Sequence, residues 1–201
     1  MNGWQYYGTE TLQVCPYMSG VPVFRDGMLP YLYTCTKEEG KIKDVFCGDF
    51  LGMDSFVTFF DKRKTMQVLA EVEENKNLKP VGYSWVDSPR GVDGARAAFC
   101  GFCFFNNASK RSSARDLARL AVAYALIDLK IDVLHGVQVE SNLAARNFSR
   151  RLGFREVATV PFYHSVDGQL VGARVMTLEK KDFLPKFEEW FNAQKAVESI
   201  P

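Results

Sequence analysis

The amino-acid sequence predicts a mixed α/β fold, and three observations carry that prediction. Between Thr65 and Phe105, alternating or continuous apolar runs are separated by polar turns, which reads as consecutive strands. Leu117, Leu120, Ala121, Tyr124 and Ile127 follow i, i+3, i+4, i+7 and i+10, a helical period lying between strand-like runs. A capped helix, Asn142 to Gly153, then separates the apolar run Val133 to Val139 from Phe154 to Val160.

The first sixty residues carry frequent breakers. Val14, Pro16, Gly20, Pro22, Gly27 and Pro30 interrupt any period, so loops and short strands are expected there. Asp54-Ser55 ahead of Phe56, Val57, Phe59 and Phe60 reads as a short capped helix. Thr65 to Glu73 is a strand with Met66, Val68, Ala70 and Val72 in alternation, and Glu74 to Lys79 a polar turn. Pro80 to Val86 is the second strand, with Val81, Tyr83 and Trp85 expected on one face. Pro89 to Gly94 is read as a turn. Ala95 to Phe105 is apolar apart from Arg96 and is expected to be central, buried on both faces.

A polar, basic loop, Asn106 to Arg111, leads into a helix starting near Ser112 or Ser113. Val133 to Val139 is a fourth strand and Phe154 to Val160 a fifth. Asp167-Gly168 is a hairpin turn signal before the returning strand Leu170 to Leu178. A last helix carries Phe187, Trp190, Phe191 and Val197. The order strand, strand, strand, helix, strand, helix, strand, strand puts a long antiparallel start before two strand-to-helix units.

Composition narrows the function. The chain has 201 residues, which suits one domain over 1–201, with residues 182–199 as a C-terminal helix. A net charge of +1 provides no global field for nucleic acid or an acidic membrane, so any anion site must be local. No stretch approaches the ~20 apolar residues of a membrane span. Met1 to Glu10 holds Trp4, Tyr6 and Tyr7 but neither a basic start nor an apolar run, and the five cysteines (Cys15, Cys35, Cys47, Cys100 and Cys103) are scattered. A reducing, cytoplasmic location is expected. Cys100-Gly-Phe-Cys103 has the spacing of half a zinc site, but no second pair follows, and buried structural thiols are the expectation, with no metal.

Two segments carry candidate chemistry. The first is the strand, basic loop and helix start from Ala95 onward. Unpaired N–H groups and the positive dipole end of a helix favour phosphate, and Ser109, Ser112, Ser113 and Ala114 are small, with Lys110, Arg111 and Arg115 adding charge. A solvated, serine-capped helix start is the alternative. The second segment is Asn142-Leu-Ala-Ala-Arg-Asn-Phe-Ser-Arg-Arg-Leu-Gly-Phe154.

That second segment resembles the N-x-x-A-x-x-h-Y-x-x-h-G-F signature of the GNAT superfamily of N-acetyltransferases, where h is apolar. Asn142, Ala145, Phe148, Leu152, Gly153 and Phe154 fall in register. The resemblance covers about Thr65 to Leu178. It implies a mostly antiparallel sheet with a splayed parallel pair of central strands, flanked by helices, that binds acetyl-CoA as co-substrate. Backbone groups of Gly101 to Phe105, Cys103, Phe104 and Phe105 among them, would pair with the pantetheine amides. Lys110, Arg111, Ser112, Ser113 and Ala114 would hold the pyrophosphate, and Asn142 belongs to the same cofactor set. Third-strand N–H groups would polarise the thioester.

Two departures stand out. The family's pyrophosphate loop reads Q/R-x-x-G-x-G/A, whereas Ser109-Lys-Arg-Ser112-Ser113-Ala114 places serine at the first glycine. Ser149 replaces the tyrosine that protonates the departing thiolate in many members. Tyr163, His164 or a water would then do that work; Ser149 reads otherwise as a helix-surface residue. Glu140, just past the fourth strand, is the candidate base or else a solvated carboxylate. An amine titrating at about 10.4 is only about one part in a thousand neutral at pH 7, so a base helps. His135 lies within an apolar strand and reads as structural.

The expected function is acetyl transfer to a primary amine of a small molecule or peptide by direct attack. The alternatives are a GNAT-fold module with a degenerate coenzyme site, or a nucleobase-modifying transferase, which the near-neutral charge does not favour. The N-terminal aromatics and the last helix are candidates for a homodimer contact.

Overall fold

The computed structural model describes residues 7–17, 21–46, 52–61, 65–92, 94–105, 112–166 and 168–198. Among these residues eight strands form one sheet. β1 (Tyr7–Gly8), β2 (Leu12–Pro16), β3 (Met66–Val72), β4 (Leu78–Val92) and β5 (Ala95–Phe104) follow one another antiparallel. β6 (Val133–Val139) lies beside β5, and β7 (Arg155–Val166) and β8 (Gln169–Glu179) complete the order β1-β2-β3-β4-β5-β6-β8-β7. The β5–β6 pair is parallel, so the sheet is mixed and mostly antiparallel with a central parallel pair.

Helices cover both faces. α1 (Leu29–Glu38), α2 (Lys41–Phe46) and α3 (Met53–Asp61) lie on one; α4 (Ser112–Ile127), α5 (Leu143–Leu152) and α6 (Lys180–Glu198) belong to the other. The loops expected before residue 60 are therefore largely helix. Pro22 sits just before a π-helical segment, Val23–Met28, and Pro30 lies in the first turn of α1. Pro22 precedes the first turn, where a missing N–H costs nothing, whereas Pro30 follows directly on the π-helical turn, so helix runs through it without a break.

Three further expectations are corrected, and the first two trace to bulges. β4 does not end at Val86 but runs on to Val92, because an irregularity between Asp87 and Arg90 absorbs Pro89 and its missing N–H. The register also shifts between Leu69 and Ala70, opposite Val81. The extra residue turns Val81 to the α4 face, whereas Tyr83 and Trp85 face α1 to α3. β5 is not buried throughout: Phe99 is 47% exposed, beyond the end of the aromatic cluster that covers its face.

The second half follows the sequence pattern closely. α4 buries Leu117, Ala118, Leu120 and Ala121 against the sheet. Asn142 Oδ1 accepts the Ala145 N–H at 3.0 Å, and Gly153, at φ 101°, ends α5. Of the aromatic residues proposed for a dimer contact, those described make contacts within the chain. Tyr7 meets Tyr124 edge-on at 5.6 Å, and Phe187, Trp190 and Phe191 stack along α6 against the core. Trp4 and Tyr6 lie outside the described residues. Among those residues no helix is long and apolar enough to cross a membrane.

Candidate active site

The parallel pair lasts three rungs, Ala97 with Val133, Ala98 with Leu134 and Phe99 with His135. It is pinned at its start, where Arg96 N–H donates to the Asp132 carboxylate at 2.9 Å and Asp132 N–H returns to Arg96 O at 2.7 Å. After Phe99 each strand stays with its outer neighbour, β5 with β4 and β6 with β8, and the two diverge. A cleft of about 160 Å³ opens between them.

Backbone direction follows from these bonds. Arg96 points its N–H and C=O at β6, and Phe105 N–H donates to Val81 O on β4 at 2.9 Å. Strand alternation then turns the N–H and C=O of Cys100, Phe102 and Phe104 toward the cleft edge. The edge is thus an unzipped strand, the feature an extended ligand pairs with. One of its carbonyls, Phe104 O, accepts from Lys41 Nζ on α2.

Side chains from both faces line the opening. Cys100, Gly101 and Phe102 come from β5, Gly136 to Val139 from β6, and Asn142, Ala145, Phe148 and Ser149 from α5. Val45 and Trp85 line it from the α1–α3 side. Two glycines make close approaches feasible. A Cβ on Gly101 would meet the Trp85 indole at 2.1 Å, and one on Gly136 would meet Gln138 Nε2 at 2.8 Å. Gly101 therefore lets Trp85 lie across β5, and Gly136 lets Gln138 lie along β6 toward α5. Gln138 Nε2 donates to Ser149 Oγ at 3.1 Å.

The predicted residues separate into groups. Ser149 and Asn142 line the cleft. Phe104 presents its backbone to the edge, but the Cys103 and Phe105 side chains are buried in the α1–α3 core, and the Phe105 N–H is committed to β4. Lys110 and Arg111 lie outside the described residues. Ser112 begins α4, Ser113 Oγ donates to Glu71 Oε1 at 2.9 Å, and Ala114 is buried. Glu140 is outside the described cleft lining, paired with Arg174, which also binds Glu156 at 2.9 Å. Partial burial opposes ionisation of Glu156, yet hydrogen bonds from Arg174 and Arg146 hold its carboxyl below the ordinary value. Tyr163 and His164 stand on the far part of the β7–β8 hairpin, past the register shift after Val160, and do not appear in the cleft wall. Tyr163 is half exposed.

The Cys100 and Cys103 thiols are held protonated by burial. Cys100 and Cys103 face opposite sides of β5, so they do not converge on one metal. Burial pushes Cys100 up to about 12, and burial pushes Cys103 up to about 11 against hydrogen bonds from Tyr83 and Thr36 and the Lys41 charge. Cys47 lies outside the described residues. Sequence reading missed Trp85, Gly136 and Gln138 as site residues. The available signal was a polar glutamine between Val137 and Val139, two residues after a glycine, on an apolar strand.

This arrangement is the GNAT fold: an antiparallel start, a central parallel pair that parts, and a capped helix over the opening. Solved structures agree with it. A GCN5-related N-acetyltransferase from Brucella melitensis superposes with a TM-score of 0.70 at 13% identity, over 95% of this chain and 85% of that one. Spermidine N-acetyltransferase from Vibrio cholerae, in complex with CoA and spermine, gives 0.69 at 14% identity, over 88% and 99%. A GNAT-family acetyltransferase from Bacillus anthracis gives 0.65 at 12%, over 88% and 99%. No family model matches the sequence, and no curated protein matches it.

Proposed function

We propose that this chain is a cytoplasmic N-acetyltransferase that moves an acetyl group from acetyl-CoA to a primary amine of a small molecule or peptide. The early parting of β5 and β6 supports this reading most. It leaves a strand edge for a pantetheine arm and a cleft for a thioester, with Ser149 on its wall. Acetyl-CoA supplies the activated carbonyl. The chain's own groups orient it: edge N–H groups of β5 polarise the carbonyl, and the start of α4 with Lys110 and Arg111 meets the phosphates. The amine attacks directly, a C–N bond forms and the C–S bond breaks.

The described lining carries no carboxylate, so a polycation such as the spermine of the Vibrio cholerae complex finds no ion-pair partner there. Trp85 and Val45 instead favour an acceptor with an apolar body near its amine. A second reading, a binding module with a degenerate coenzyme site, is favoured by Lys41 on the Phe104 carbonyl and by Glu71 on Ser113 at the helix start. Thermal unfolding with acetyl-CoA separates the two. At 100 times its dissociation constant, the ligand is expected to add about 2.7 kcal/mol. No shift at saturating acetyl-CoA would favour the module.

A further inference from the structure

Gln138 sits on β6 with its side chain turned toward α5, in the space that Gly136 leaves open. Its two ends differ. Nε2 donates to Ser149 Oγ at 3.1 Å, whereas Oε1 is buried and has no hydrogen-bond partner among the described residues. Both Gln138 and Ser149 line the cleft. A buried amide oxygen without a donor is costly, and in native proteins such a group needs a reason. Here the oxygen belongs to a residue in the wall where the proposed reaction occurs. An N–H group arriving with a ligand would satisfy it.

Because Nε2 gives its proton to Ser149 Oγ, that oxygen is an acceptor in this bond, and the hydroxyl proton is free to turn elsewhere. The nearest open direction is the cleft. The edge groups of Cys100, Phe102 and Phe104 lie on the β5 wall, so an extended cofactor arm has its partners there. Gln138 is on the facing wall beside Ser149.

We propose that Gln138 positions Ser149 and contacts the acceptor: Nε2 fixes the serine oxygen so that its proton faces the departing sulfur, and Oε1 accepts an N–H from the attacking amine. This rests on the acyl transfer proposed above. When the amine attacks, the new C–N bond leaves nitrogen positive and the carbonyl oxygen negative. Oε1 holds one N–H of that nitrogen. The C–S bond then breaks with its electron pair on sulfur, and the serine O–H hydrogen-bonds the thiolate. The ammonium proton leaves to water, and the thiolate takes a proton from water.

Two variants test it. Gln138→Met keeps length and most of the volume but removes both polar ends. Gln138→Glu keeps an acceptor but loses the N–H donor. Coenzyme A binding is measured by calorimetry, folding by thermal melting, and turnover by thiol release from acetyl-CoA with a panel of primary amines (polyamines, amino acids, aminoglycosides and short peptides). Gln138→Met is expected to bind coenzyme A within about twofold of wild type and to lose kcat/KM by ~10-fold or more, equivalent to about 1.4 kcal/mol. In Gln138→Glu an ionised carboxylate would draw the serine proton to itself. Its rate relative to wild type should therefore rise as the introduced carboxyl is protonated at lower pH, while coenzyme A binding and melting measured at the same pH values stay parallel to wild type, which a merely structural role would not produce. Wild-type turnover in Gln138→Met, or a flat relative pH profile in Gln138→Glu, overturns the inference alone. If Gln138→Met does not fold, the Gln138→Glu profile decides. No coenzyme A binding by the wild-type chain, or no thiol release with any amine, overturns acyl transfer itself.

Discussion

The face of the sheet under α4, α5 and α6 is packed largely with aliphatic side chains, among them Leu117, Leu120, Leu126, Ile131, Leu134 and Met176. The opposite face, under α1 to α3, is packed with rings: Phe46, Phe56, Phe60, Tyr83, Trp85 and Phe105. Phe60 alone has its centroid within 6.0 Å of those of Phe46 and Phe56, 5.5 Å of Tyr83 and 5.6 Å of Trp85. Ring burial suits the shortest helices. α2 has 6 residues and α3 has 9, whereas α4 has 16 and spreads its burial over several turns. A ring removes about 150–250 Å² from water, so one or two per short helix suffice to hold it on the sheet. The aromatic face reaches the cleft through Trp85 and Val45, and the other face reaches it through Cys100, Phe102, Phe148 and Phe154.

That contrast gives the largest expected effect. Phe60→Ala should cost about 3–5 kcal/mol, and Leu120→Ala about 2–5 kcal/mol, in denaturant unfolding. The two should part in a second readout. Phe60→Ala removes a neighbour of Trp85 and should weaken coenzyme A binding, while Leu120→Ala should leave binding of the folded protein unchanged. Equal binding losses would mean that the aromatic face has no special link to the cleft.

The same contrast explains what the sequence made legible. The aliphatic face was readable because a long helix must repeat its apolar residues every 3.6 positions, and Leu117 to Ile127 do so. Residues 21–46 read as loops because Pro22, Gly27 and Pro30 read as breakers, although Leu29, Leu32, Tyr33 and Thr36 of α1 do follow i, i+3, i+4 and i+7 and are buried. Bulges are invisible to a period-2 pattern, which is why Val81 was placed on the wrong face. At the site, the Asn142 cap and Ser149 were found from local spacing and a motif. Gln138 and Trp85 were not, since their role depends on two glycines and on strands meeting at long range. Tyr163 and His164 were placed by analogy, and β7 runs past the expected Val160 to Val166, which carries them along the hairpin.

A smaller effect belongs to the cap on the aliphatic side. Asn142→Ala removes the acceptor for the Ala145 N–H and should cost ~1 kcal/mol, with Asn142→Asp close to wild type. Because the same turn bounds the cleft, Asn142→Ala should also loosen coenzyme A binding. A loss of stability without any change in binding would confine Asn142 to its capping role.

The smallest effect lies where the two strands part. His135 occupies the last parallel rung, its Nδ1 2.9 Å from Thr177 Oγ1 and its ring 5.5 Å from that of Phe99. Burial lowers its pKa from the ordinary value of about 6.5. The unfolded chain therefore binds more protons than the folded one between the lowered value and about 6.5, and stability rises with pH across that window. The contribution is fully present above about 6.5 and is lost as pH falls through the window toward the folded value. Glu156 and Glu179, held down by arginine and lysine partners, act with the same sign but below the ordinary carboxylate value, so they do not mask it. Wild type and His135→Gln should be melted at pH 7.5, 6.5 and 5.5. The wild-type chain is expected to lose more stability on acidification than the variant, with the difference confined to the lower half of that range. The chain has two histidines, so His164→Gln serves as the parallel control. A drop in His135→Gln as large as in wild type would show that this half-covered end of the aromatic face does not penalise a charged imidazole. The two faces would then differ in packing but not in how they exclude water.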